Sequence, residues 1–290
     1  MTRRGALLFA AMCVIWGVPY LMIRVAVREL APVTLVFLRT GIGAALLLPF
    51  AAARGELRPL YRYWRPLLAY SAIEVAIPWV LLARAETRLT SSLTGLLVAA
   101  VPLVGAVVVT LTGKRERQGG RRWVGLLIGL CGVSALVGLD VGQVAALPVA
   151  EVLGVAVCYA LGPIILARRM AGVPALGIVA SSLVLSAVVY APFAAFRWPS
   201  STPSAHVVES VLGLAVVCTA LAFLVFFALI REMGPVRATV ITYVNPAVAA
   251  VLGVAILSEN VTGGMLVGFA LILAGSILAT GRGPEPVAEA

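Results

Sequence analysis

Two ionisable side chains lie inside long apolar stretches of this 290-residue chain, and they carry most of the chemistry the sequence offers. Glu74 falls in Ser71-Ala72-Ile73-Glu74-Val75-Ala76-Ile77-Pro78-Trp79, and Arg39 follows Phe37-Leu38. A charge removed from water is costly unless it meets a partner, faces a wet cavity or, for a carboxylate, takes up a proton. Glu74 therefore reads as a ligand for a substrate amine or as a proton-coupling group. The alternative is a neutral acid hydrogen-bonded between helices. Arg39 reads as a clamp for a substrate carboxylate, as the ion-pair partner of Glu74, or as a structural anchor for exposed carbonyls at a helix end.

Five prolines interrupt apolar runs: Pro19, Pro78, Pro102, Pro163 and Pro246. Each lacks an amide donor and frees a carbonyl one turn earlier. Such breaks in matching places of two halves point to a central binding site. Near them lie Trp16, Tyr20, Trp79, Tyr159, Tyr243 and Asn245. Aromatic rings with polar tips suit a cavity for an organic solute, and they suit plain packing or an interfacial belt equally well.

These residues need elements to hold them, and composition says what those elements are. The chain is 62% hydrophobic and 12% charged, against about 25% charged residues in a soluble domain. Lipid is the solvent such a chain requires. Near-spanning apolar segments fall at roughly 5–27, 33–53, 66–83, 90–112, 123–140, 149–168, 174–196, 207–230, 236–257 and 262–280. Helices satisfy their own backbone groups in hydrocarbon, so an all-α integral membrane fold with ten transmembrane helices is expected. The alternating pattern of a membrane β-barrel is missing. Arg3-Arg4 before an apolar run resembles a signal peptide, but the run is too long and reads as a retained first helix. Residues 283–290, rich in Pro, Glu and Ala, read as a disordered tail.

Charge then sets orientation and excludes functions. Of the 22 Lys and Arg, sixteen fall on the side of the N-terminus: Arg3, Arg4, Arg54, Arg58, Arg62, Arg65, Lys114, Arg115, Arg117, Arg121, Arg122, Arg168, Arg169, Arg231, Arg237 and Arg282. Arg24, Arg28, Arg84, Arg88 and Arg197 fall on the other, and Arg39 lies within a segment. The positive-inside rule then makes both termini cytoplasmic. The net charge of +10 is topological rather than a nucleic-acid face. Cys13, Cys131, Cys158 and Cys218 lie in apolar runs, and His206 is the one histidine, so no disulfide framework, metal site or cofactor is expected. Glu116, Glu151 and Glu259 fall at segment ends and read as solvated. No GxxxxGK[ST] stretch occurs, so transport would be passive or ion-driven.

An internal repeat fixes the architecture. Glu116, Gly125 and Gly132 follow Pro102 by 14, 23 and 30 residues; Glu259, Gly268 and Gly275 follow Pro246 by 13, 22 and 29. Pro19 and Pro102 are 83 apart, as are Pro163 and Pro246, and Arg24 and Arg168 each follow their proline by five. Two five-helix units, 1–144 and 145–282, are implied. Five is odd, so the second unit is inverted in the membrane, an arrangement suited to alternating access.

The order of these motifs resembles the drug/metabolite transporter superfamily, EamA-like permeases, across about residues 5–280. The resemblance is carried by Trp16-Gly17, Phe37-Leu38-Arg39, Ala99-Ala100-Val101-Pro102 and Tyr243-Val244-Asn245-Pro246, with Glu259 and Gly268 following. Gly113-Lys114-Arg115-Glu116 departs from the Gly-Glu usual after the fourth helix. The resemblance implies a central cavity among helices 1, 3, 4, 6, 8 and 9, and a structural role for Arg39. The expectation is an inner-membrane secondary transporter, working outward on a small organic metabolite such as an amino acid or related amphipathic compound. Proton coupling and a homodimer stay open. A membrane enzyme or channel built on Glu74 and Arg39 is the rival, with too few polar groups at depth to favour it.

Overall fold

The structure, a computed structural model, describes residues 2–112, 120–138, 146–234, 238 and 240–280. The cluster from Lys114 to Arg117 with Glu116, the expected boundary at 144/145, and the tail 283–290 lie outside them. Among the described residues every regular element is helical. We label them α1 Arg3–Ala26, α2 Pro32–Ala53, α3 Arg58–Ala85, α4 Ser91–Val108, α5 Gly120–Gly138, α6 Ala146–Arg169, α7 Ala175–Phe196, α8 Ala205–Met233, α9 Ile241–Leu257 and α10 Gly263–Thr280. Eight helices are long and apolar enough to cross a membrane, and α5 and α9 contribute shorter apolar stretches, Trp123–Leu136 and Ile241–Leu257.

Local sequence starts each helix. Thr2 and Thr90 cap α1 and α4 by accepting from the amides of Gly5 and Leu93 at 3.0 and 3.2 Å. Pro32 opens α2, where its missing donor costs nothing. Helix α3 begins eight residues earlier than the apolar run, because a 3₁₀ segment, Arg58–Tyr63, leads into it.

The regular ladder breaks in several places. Helix α1 is interrupted at Trp16–Val18 before Pro19, and α4 at Ala99–Ala100 before Pro102. Pro163 and Pro246, expected to break their helices likewise, lie inside continuous α6 and α9. One missing hydrogen bond can be absorbed by a bend. At the α1 break Gly17 lies against Val248 of α9, where an added Cβ would overlap the valine side chain. Helix α3 carries a π-helical stretch, Ser71–Ala76, and α8 another, Gly213–Leu221.

Helices pack in pairs: α2 on α7, α5 on α10, α3 on α6, α4 on α9 and α1 on α8. Lipid gives no hydrophobic drive between helices, so contact depends on close packing of small residues. On α5 and α10, Gly125, Gly132 and Gly275 each abut backbone atoms of the facing helix. The α2–α7 pair buries Leu47 and Leu183 at its centre. Large apolar side chains point outward instead, Phe196 at 88% exposure and Leu266 at 62%, as a lipid-facing surface requires.

Candidate functional site

Arg39 is held at the centre of the bundle. It is 7% exposed, its Nε donates to Thr219 Oγ1 at 3.0 Å, and its guanidinium lies 3.7 Å from the centroid of the Trp79 ring. Thr219 in turn donates to the Leu214 carbonyl at 2.8 Å, a group that the π-helical stretch of α8 exposes. Arg39 therefore ties α2 to α3 and α8 by a hydrogen bond and a cation–π contact. The ion pair with Glu74, one of the alternatives for Arg39, is not formed. Among the described residues Arg84 pairs with Glu151 at 2.9 Å, and His206 Nδ1 lies 3.8 Å from a Glu209 carboxylate oxygen.

Glu74 lies in the π-helical stretch of α3 and packs on Gly162 of α6, where any Cβ would overlap its carboxylate. Tyr70, Cys158 and Tyr159 are within electrostatic reach of it. Its Oε2 is buried with no hydrogen-bond partner among the described residues. The extra residue of a π-helix rotates the following side chains, and Tyr190 steadies this turn by donating to the Ala76 carbonyl at 3.0 Å. Pro78, buried, follows directly.

Around this centre the structure brings together Tyr20, Trp79 and Tyr159, which pack in one apolar cluster. Tyr159 and Tyr20 both lie within electrostatic reach of Arg39. Trp16 instead stacks on α8, 4.7 Å from Phe226 and 6.0 Å from Phe223 between ring centroids. Tyr243 turns to α10, its hydroxyl 3.3 Å from Thr280 Oγ1. Asn245 is buried in α9, and with its amide turned to place nitrogen toward them it donates to the Ile241 and Cys13 carbonyls at 3.0 and 3.1 Å, joining α9 to α1. Pro102 adjoins the α4 break, and Pro163 is exposed.

The two ends of the bundle differ. At one end Glu259, in the turn between α9 and α10, accepts from the amides and hydroxyls of Ser91 and Ser92 at 2.6–3.1 Å. Burial works against its charge, but those four donors outweigh it and hold the carboxyl below the usual range. At the same end Glu29 accepts from Ser204 Oγ and N at 2.7 Å each, and that hydroxyl and amide lower its pKa. Arg24 donates to the backbone carbonyl of Glu86. At the opposite end a cleft of about 650 Å³ opens between α3, α6, α7 and α8. Arg54, Glu56 and Arg231 rim it; Tyr70, Val179 and Phe227 are among its walls.

Sequence reasoning missed several of these groups. Glu151 and Glu259 were expected to be solvated; Glu151 is 8% exposed and paired with Arg84, and Glu259 caps α4. Glu86 is fully buried with both carboxylate oxygens lacking a hydrogen-bond partner among the described residues. Its neighbours Arg84, Thr87 and Arg88 read as a solvated loop, and nothing local signals burial. Thr219 would have been visible only as the polar position in an apolar run.

Membrane-length helices with polar groups sequestered between them mark a polytopic membrane protein. The model of the EamA-like transporter family matches residues 3–138 and again 148–281. The chain belongs to the EamA-like transporter family, within the drug/metabolite transporter superfamily. It is 30% identical over 265 residues to the uncharacterized inner membrane transporter YedA of Escherichia coli K12, covering 87% of this chain and 82% of that one. It is 26% identical over 278 residues to the uncharacterized transporter YvbV of Bacillus subtilis, covering 93% and 89%. A solved crystal structure 22% identical in sequence matches the fold with a TM-score of 0.67 over 95% of this chain and 96% of the other.

Proposed function

We propose that the protein is a secondary transporter that exports a small organic solute by alternating access between two inverted five-helix halves, 1–144 and 145–282. The observation that carries this reading is the opposed state of the two ends: Glu259 on Ser91 and Ser92, and Glu29 on Ser204, tie one end shut, while a 650 Å³ cleft opens the other. An inverted repeat predicts that asymmetry, since each half adopts the conformation its twin will take next.

The packing pairs support the repeat. Pro19 and Pro163, and Pro102 and Pro246, are each 144 apart. Shifting by 144 moves the π-helical stretch 71–76 onto 215–220, inside Gly213–Leu221. The same shift exchanges α1–α8 contacts with α6–α3 contacts and returns α2–α7, α4–α9 and α5–α10 to themselves. Ten spans follow, α5 and α9 included. The arginine-rich end, with Arg54, Arg58, Arg62 and Arg231, is the cytoplasmic one, so the cleft faces inward and both termini are cytoplasmic. The membrane is the inner membrane, as the name of the YedA relative states for that protein.

The cargo reading follows from the central groups. Glu74 is a buried carboxylate within electrostatic reach of Tyr159, and Arg39 is engaged with Trp79 and Thr219. One unpaired acid beside aromatic rings fits an amine-bearing amphipathic compound such as an amino acid, and does not fit multiply charged phosphates, which need several free cations. Counterflow tests it: proteoliposomes loaded with a mixture of unlabelled amino acids should take up labelled ones in a saturable, protein-dependent way. Linear, unsaturable leak would mark a channel and end the reading.

A further inference from the structure

The tied end holds a group that nothing above uses. Glu86, which caps α3 after Ala85, is 0% exposed and neither carboxylate oxygen has a hydrogen-bond partner among the described residues. Arg24 gives its N–H to the backbone carbonyl of Glu86 and not to the carboxylate. The charged and titratable groups that face Glu86 come from three elements: Arg24 and Tyr20 of α1, Arg39 of α2, and Glu259 of the α9–α10 turn. Arg39 is committed to Thr219 and Trp79. On its own helix Arg84 is committed to Glu151. Glu259 keeps its charge through Ser91 and Ser92 and repels a second carboxylate.

We propose that Glu86 is the proton-binding group of the transport cycle, carrying a proton while the α4 end is shut and losing it when that end opens to water. The proposal rests on the alternating-access reading and names its coupling ion. A water-borne hydronium ion donates its proton to one carboxylate oxygen, forming an O–H bond and leaving water. On opening, that O–H bond breaks and the proton returns to water, leaving the carboxylate with the electron pair. Closing strips the site of water, and only the neutral acid tolerates that without a partner. Burial pushes the Glu86 carboxyl well above the usual range, Arg24 pulls it back, and Glu259 pushes it further up. Tyr20 lies within electrostatic reach of Glu86 and of Tyr159, and Tyr159 within reach of Glu74, so polar groups run from the shut end to the central site.

The test needs no cargo. In a variant lacking Cys13, Cys131, Cys158 and Cys218, Leu89→Cys places a thiol at a position 1% exposed and three residues from Glu86. Labelling by a membrane-impermeant maleimide in proteoliposomes, normalised to exposed Thr202→Cys, is followed from about pH 5 to about pH 9, the range a raised carboxyl spans. Labelling should rise with pH at a slope approaching about tenfold per unit, the limit for one proton. Glu86→Gln should leave it low and flat. Arg24→Gln supplies an independent arm: losing the cation should move the rise to higher pH, whereas mere loss of a contact would ease opening at every pH. A Glu86→Gln profile that follows wild type, or Arg24→Gln labelling raised at all pH values, would overturn the proposal. Opening that is independent of pH while the Arg54 end closes would refute Glu86 and spare alternating access. A static shut end together with a static Arg54 end would sink both.

Discussion

At the scale of single residues, Glu74 and Arg39 were legible because each is a charge inside an apolar run, and hydrocarbon tolerates that only for a reason. Their separation was not legible. Arg39 found Trp79 on α3 and Thr219 in the π-helical stretch of α8, and that stretch leaves no mark in hydropathy. Glu86 was missed because the charged groups around it, Arg24, Arg39 and Glu259, come from distant parts of the chain. If Glu74 binds a substrate amine, Glu74→Gln should weaken binding about tenfold or more, since a hydrogen bond to a charged group contributes about 1.5–3 kcal/mol. Exchange and pH-driven accumulation should fall together in proteoliposomes. Loss of accumulation with exchange intact would give Glu74 the proton instead, and wild-type behaviour in both would remove it from the site.

At the scale of elements, hydropathy found the helices but not their irregularities. Pro19 adjoins a break in α1 while Pro163, 144 residues later, lies inside continuous α6, and hydropathy does not tell the two apart. The close glycine contacts between α5 and α10 make a sharp prediction. Gly275 abuts the backbone of α5, so Gly275→Leu must push the helices apart and should cost about 1–3 kcal/mol or more. Gly263→Ala, with nothing within 4 Å of the new Cβ, should be silent. Thermal unfolding in detergent checks both. The Glu259 cap predicts a pH effect. Its folded pKa is lowered, so its contribution is present above the usual carboxylate range and is lost as pH falls through the folded value. Wild type should therefore unfold at higher temperature than Glu259→Gln near neutrality, with the gap closing in acid. A gap constant with pH would mean the ionised carboxylate is not what anchors α4.

At the scale of the whole molecule, the two-unit reading rests on proline and glycine spacing, and the EamA-like family model matches residues 3–138 and again 148–281. What spacing could not supply is the state of the bundle, because which end is tied depends on contacts such as Glu29 with Ser204 that join residues 175 apart. The central claim is that the two ends move in opposite senses. Spin labels at exposed Arg88 and Asn260 report the tied end, and labels at Arg54 and Arg231 report the cleft. Pulsed electron–electron distance measurements on the two pairs, in lipid across a pH series with and without an amino-acid mixture, measure that directly. Each pair should show a short and a long population, and any condition that lengthens one pair should shorten the other. A single fixed distance in both pairs, or lengthening of both together, would contradict alternating access between the halves.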